Sequence, residues 1–169
     1  MGIYVVQVEG GREASMAAAI ARCAPSVIET CFLPRRELMK RVAGEWRHVR
    51  ELLFPGYLFL KTNDPEGASQ LLGQLPGLSR ILGRNGAFIP LSTQEVSWLE
   101  VLTAPDAHVV KMSRGIVERD EIVVTEGPLR GHEALIAKVD RHKRLAYLEV
   151  RMFGRTKTVR VGLEIVRKQ

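Results

Sequence analysis

Apolar positions at the N-terminus first follow a strand pattern. Tyr4-Val5-Val6-Gln7-Val8 is β-branched and aromatic, Gly10-Gly11 breaks it, and the Ala-rich stretch from Glu13 to Cys23 predicts a helix stopped by Pro25. Val27 to Leu33 predicts a second strand ending at Pro34. The pattern then turns charged: Arg35 to Val42 and Trp46 to Leu53 flank Ala43-Gly44-Glu45, a β-hairpin with unusually basic arms. Tyr57 to Lys61 is apolar on both faces, as in a central strand. Asp64-Pro65 supplies a cap and a first-turn proline for a helix carrying Ala68, Leu71, Leu72 and Leu75. A third helix starts at the capping box Ser92-Thr93-Gln94-Glu95, with Val96, Leu99 and Leu102 at helical spacing.

Strands and helices thus alternate over the first hundred residues, which predicts an α/β sandwich. Thr103 to His108 is polar and Pro-broken, and beyond it only β patterning remains. The runs 121–125, 134–139, 145–152 and 156–161 are separated by Gly-, Pro- or charge-rich turns, among them Gly127-Pro128-Leu129-Arg130-Gly131. Short, evenly spaced strands of this kind predict a small antiparallel β-barrel. The expected architecture is therefore α+β: an N-terminal sandwich over 1–102, a linker over 103–113 and a barrel over 114–169.

Charge changes this picture only in the last third. Residues 1–103 hold 11 Lys and Arg against 10 Asp and Glu, whereas 104–169 hold 14 against 9. Polyanions are the natural partners of such a basic segment, although long cationic side chains also serve simply to solvate a barrel's outer face. Cys23 and Cys31 lack C-x-x-C spacing and read as buried free thiols, and the four histidines are scattered. Neither a metal site nor a nucleophile pair is suggested, no phosphate-binding loop is present, and the expectation is a protein that is not an enzyme and uses no cofactor. The absence of a long apolar run or a leader-like N-terminus points to the cytoplasm, with no membrane partner.

Several short strings in fixed order carry a family resemblance: Tyr4 to Val8, then Phe54-Pro55-Gly56-Tyr57-Leu58-Phe59, then Glu126 to Gly131, then Met152-Phe153-Gly154-Arg155. Together they resemble NusG proteins across essentially the whole chain, implying an N-terminal NGN-like domain and a KOW/SH3-like barrel. Cys31-Phe32-Leu33-Pro34-Arg35, Gly44-Glu45-Trp46 and Val139-Asp140-Arg141-His142-Lys143-Arg144 look like the LoaP branch of antiterminators. Ala134 departs from the pattern, since many members carry a second Gly there.

The resemblance implies a monomeric transcription elongation or antitermination factor that binds the clamp helices of RNA polymerase. Tyr57 and Phe59 would present that contact on one strand face, with Phe54 and, from the adjacent strand, Gln7; on the residues alone, aromatic side chains in a central strand are usually core. Arg35, Arg36, Lys40, Arg41, Arg47 and Arg50 on or beside the basic hairpin could follow the phosphates of non-template DNA, or form a solvated face. Resemblance to LoaP implies that the barrel recognises a nascent leader RNA hairpin. Lys138, Arg141, His142, Lys143 and Arg144, with Arg155 and Lys157, would form the RNA-binding ridge. Phe153 would stack on a base or a partner, or fill the barrel core. In general NusG-type adaptors the barrel instead binds a protein, such as a termination factor or a ribosomal protein.

Overall fold

The computed structural model describes residues 1–23, 26–103 and 108–166. The expected stop at Pro25 and most of the Pro-broken stretch, residues 104–107, lie outside them. Contacts gather the chain into two compact units, each built from two stretches: Met1–Leu33 with Phe54–Val96, and Pro34–Leu53 with Ser97 onward.

In the first unit, β1 (Gly2–Val8) leads into α1 (Glu13–Cys23), and β2 is confined to Thr30–Phe32, shorter than the expected 27–33. Glu13 sits at the start of α1, where its carboxylate accepts N–H bonds from Gly11 at 3.1 Å and from Gly56 at 3.0 Å. Burial alone would raise its pKa, but these backbone donors hold it below the ordinary carboxylate value. Next, after the hairpin β3 (Arg35–Val42) and β4 (Glu45–Leu52) of the other unit, come β5 (Tyr57–Thr62) and then α2 (Pro65–Gln74). Asp64 caps α2 as expected, accepting from the Gly67 N–H at 3.0 Å, with Pro65 in the first turn.

The first unit's sheet has the order β2-β5-β1-β6, where β6 is Ser79–Ile81, and every pairing in it is antiparallel. One face carries Val6, Leu58, Leu60 and Ile81 against Met16 and Ile20 of α1 and Ala68 and Leu72 of α2. Each fully buried Leu or Ile here contributes about 2 kcal/mol. A two-strand ribbon follows, β7 (Gly83–Arg84) and β8 (Ala87–Phe88), whose Asn85-Gly86 turn has both φ angles positive (53° and 78°). The boundary between the units falls within α3 (Thr93–Thr103), which opens on the expected Ser92–Glu95 box.

The second unit begins with the hairpin β3 (Arg35–Val42) and β4 (Glu45–Leu52), closed by Ala43-Gly44. Sequence position places this hairpin in the N-terminal sandwich; the contacts group it with the last third of the chain. The reason is pairing: β9 (Val109–Val110), inside the stretch expected to be linker, runs parallel to Arg35 and Arg36. Beyond it, β10 (Ser113–Glu118), β11 (Glu121–Glu126), β12 (Ile136–Asp140), β13 (Leu145–Met152) and β14 (Arg155–Ile165) form a sheet in the order β11-β10-β14-β13-β12. β10 is a strand beyond the four runs expected, and its pairing with β14 is parallel, so the sheet is not purely antiparallel. Leu148, Met152, Val161 and Leu163 are fully buried inside it.

The Gly127 turn is built as its composition suggests. Gly127 has φ 97°, and a Cβ there would lie 2.6 Å from the Ser113 Cα. Leu129 is fully buried, and its N–H donates to Ser113 Oγ at 3.1 Å. Ala134 falls in a 3-10 turn, Glu133–Leu135, rather than at a strand start. The molecule is thus mixed α+β, as its periodicity indicates. Among the described residues no helix is long and apolar enough to cross a membrane.

Candidate functional site

The most chemically distinctive feature lies within the second unit, where the hairpin tip meets the turn between β12 and β13. A groove of about 520 Å³ runs between them. Leu38, Met39 and Leu145 give it an apolar floor, and Lys40, Arg41, Lys143 and Arg160 give it cationic walls. Lys40 and Arg41 of the hairpin and His142 and Lys143 of the barrel turn, which the sequence assigns to two separate sites, therefore line one groove.

Strand alternation sorts the hairpin cations. Arg36, Lys40 and Arg47 share one face with Glu51, while Arg35, Arg41 and Arg50 share the other with Glu37 and Trp46. Arg36 is only 7% exposed. Its guanidinium pairs with Glu51 at 3.5 Å, and its Nε has no hydrogen-bond partner. Burial, reinforced by the charge of Arg160, lowers its pKa against the pull of Glu51. This corrects the expectation that Arg36 faces a nucleic acid: the side chain is inside. Lys40 Nζ also donates to Glu51, and that bond, with Arg36 beside it, holds the carboxyl below its ordinary range. One carboxylate thus serves two cations, with a third close by. Arg47 pairs loosely with Glu45, and Arg50 with Glu37, the two distances being 3.9 Å and 4.0 Å. Arg35 is half-buried and its N–H donates to the His108 carbonyl.

On the opposite wall, Arg141, His142 and Lys143 are exposed in a tight turn pinned by the Lys143 N–H to Asp140 Oδ1 bond at 3.0 Å. Arg144, with φ 56°, closes the turn; its guanidinium lies 4.2 Å from the Trp46 ring centroid and 3.8 Å from Glu164. Arg41 approaches the same indole at 5.8 Å. Cation–π contacts of this type are worth about 0.5–2 kcal/mol, more when water is excluded. Trp46, Glu51 and Arg160 are not among the site residues expected from the sequence, although Trp46 stands in one of the strings that carry the resemblance. The available signal for Trp46 was a large aromatic in a hairpin whose neighbours are nearly all charged.

The proposed RNA ridge does not hold together as a single surface. Phe153 lies in the β13–β14 turn and Arg155 and Lys157 at the start of β14, at the other end of β13 from Arg141–Arg144. An eight-residue strand separates the two ends by roughly 24 Å, because successive antiparallel hairpins turn at opposite ends. Lys157 Nζ lies 4.8 Å over the Phe153 ring, and burial followed by the Arg155 charge lowers its pKa. Phe153 is half-buried at φ 57° and is not among the fully buried side chains. Lys138 is exposed on the outer face and sits 5.5 Å over the Tyr147 ring.

In the first unit, register sets Gln7 opposite Tyr57 and Val5 opposite Phe59, and Phe32 opposite Phe59, all on the sheet face away from α1 and α2. Gln7 and Tyr57 do neighbour each other, as expected, and both are half-exposed. Phe54 and Phe59 are buried, at 4% and 0% exposure. Phe59 stacks on Phe32 at 5.5 Å and tilts against Phe54 at 5.8 Å. These two therefore do not form an open apolar patch. Gln7 Oε1 accepts from Arg80 Nε at 3.2 Å.

Cys31 fits a packed thiol, its pKa pushed up to about 12 by burial, whereas Cys23 is exposed, contrary to expectation. Among the described residues, no group of three or more His, Cys, Asp or Glu side chains is placed to hold a metal ion.

Comparison with known proteins agrees with this architecture. The family model described as "Transcription termination factor nusG" matches residues 2–100. Relatives include the "Transcription termination/antitermination protein NusG" of Helicobacter pylori strain J99, 27% identical over 175 residues, spanning 99% of this chain and 98% of that protein. The protein of the same name from Thermus thermophilus is 26% identical over 150 residues, spanning 81% of this chain and 79% of its own. The solved structure "Domain interaction in Thermotoga maritima NusG" matches with a TM-score of 0.61 at 19% identity, covering 95% of this chain and 93% of that one, a likeness of fold. With more than half its length matched by the family model, the chain belongs to the NusG family.

Proposed function

We propose that this protein is a transcription elongation and antitermination factor of the specialised, LoaP-like kind. In this reading it binds RNA polymerase through the first unit, suppresses pausing or termination, and contacts a leader RNA hairpin through basic residues of the second. The polymerase contact is ascribed to the sheet face bearing Gln7 and Tyr57, with Phe54 and Phe59 packed beneath it as support. Exposed Arg47 remains available to phosphates of non-template DNA. The observation that carries the RNA reading is the pinned turn Arg141–Arg144, where three exposed basic side chains stand together on a rigid loop. Such a loop positions charge without paying to order it first.

A reconstituted transcription assay tests this reading. Read-through of a terminator should rise when the protein is added to a template carrying its cognate leader, and should vanish when that leader is scrambled. Tyr57→Ala should reduce polymerase co-purification, while Lys143→Ala should leave it intact. Read-through independent of the leader would favour the general adaptor instead. That alternative has its own supporting observation: half-exposed Phe153, with Lys157 over its ring, offers a small aromatic contact for a protein partner at the far turn.

A further inference from the structure

From the groove we infer that the hairpin tip and the β12–β13 turn act as one composite site for an unpaired RNA segment, entered by both a phosphate and a base. The inference rests on the RNA-binding reading above and extends it to residues of the hairpin. Two observations point to this occupant. First, Lys40, Lys143 and Arg160 line the groove together with the single carboxylate of Glu51, which leaves an excess of positive charge where an anion is held.

Second, the walls are cationic but the floor is apolar, and Trp46 sits beside it with guanidinium groups at 4.2 Å and 5.8 Å. A duplex presents only its phosphate rim to a protein groove of this kind and has no use for an apolar floor or an aromatic plane. An unpaired nucleotide presents both a charged backbone and a flat apolar base, and single strands are bound by that combination of basic groove and stacking platform. The Arg144–Trp46 stack is the fixed part of the platform. Arg41, at the longer distance, is the part a base would displace.

The test uses the full-length protein and fluorescence anisotropy with end-labelled twelve-nucleotide probes: single-stranded RNA, single-stranded DNA of the same sequence, and blunt duplex RNA. Arg41→Ala and Lys143→Ala, both on exposed side chains, should each weaken single-stranded RNA binding about three- to tenfold at fixed salt. Each should also lower the salt slope by about 0.7. Arg155→Ala, at the other end of β13, should change affinity less than twofold. In Trp98→Phe protein, where Trp46 is the remaining tryptophan, binding should quench the emission. Loss with Lys143→Ala but not with Arg41→Ala would overturn the composite groove and leave the RNA reading standing. No loss with either would sink both. Equal loss with Arg155→Ala, or tighter binding of duplex than of single strand, would overturn the groove in favour of unspecific attraction or shape recognition. Preference for the DNA strand would overturn RNA as the occupant.

Discussion

The two ends of β13 carry the same kind of contact, a cation over an aromatic ring, and differ in what that contact joins. At one end Arg144 reaches Trp46, a residue of a hairpin almost a hundred positions earlier in the chain. At the other, Lys157 reaches Phe153, four positions earlier across its own turn. Both turns also place a side chain in the left-handed region, Arg144 at φ 56° and Phe153 at φ 57°, where a non-glycine residue is strained. At the first turn the strain is offset by a tertiary join and an ion pair to Glu164; at the second, the cation over the ring belongs to the same hairpin as the strained residue. Charge counts along the sequence treat these ends alike. Topology makes one of them a site and the other an ornamented turn.

The largest expected effect comes from removing Glu51, the carboxylate that Arg36 and Lys40 share in the hairpin that the first end joins. Glu51→Gln should cost about 2–3 kcal/mol in urea unfolding, less than for a fully buried pair because the Glu51 side chain is 31% exposed. Since Lys40 and Arg36 hold its pKa below the ordinary 4.5, its contribution is present above that value and lost as pH falls through the depressed pKa. The unmodified protein should therefore lose stability on acidification below about pH 4.5 more steeply than the Gln variant. A cost under about 0.5 kcal/mol would mean that the shared carboxylate contributes no more than an exposed surface pair.

The next test sets strain against contact. Arg144→Gly relieves the left-handed backbone but removes both the indole contact and the ion pair, so thermal unfolding should show a net loss of about 0.5–1 kcal/mol. The smallest effect should have the opposite sign. Phe153→Asn creates the Asn-Gly sequence that a turn with two positive φ angles prefers, and it should stabilise the protein by about 0.5 kcal/mol. A loss above about 1 kcal/mol there would mean that Phe153 is also engaged beyond its own turn.

What the sequence disclosed was whatever local chemistry decides. Asp64-Pro65 and Ser92 to Glu95 announced their helices because capping is settled within four residues. The basic hairpin was visible because Ala43-Gly44 and its flanks fix a turn without outside help. The composite groove was hidden because it needs Trp46 and Arg144 to meet, and no local signal links them. Arg36 is buried where its sequence context suggests an outward side chain for a related reason: in a strand of mixed charge, only the partner element decides which face is buried. The sequence leaves the strand's aromatic residues open between a contact surface and core; register in the central strand stacks Phe59 against Phe32 and brings Phe54 to its edge, both buried. The single proposed ridge overlooked that consecutive hairpins turn at opposite ends.

The parallel pairing of β9 with β3 also bears on the order in which the protein is made. The first unit has all its parts once residue 96 has been synthesised, whereas the hairpin ends at Leu52 and must wait for strands as late as β14. Roughly a hundred residues are added in the interval, and throughout it a charged ribbon hangs from the nascent chain without its final neighbours. Its cations keep such a ribbon from pairing with other nascent strands, as charged side chains do on sheet edges generally. The same side chains that line the finished groove thus protect an intermediate of synthesis, and substitutions that neutralise them should be felt in yield as well as in binding.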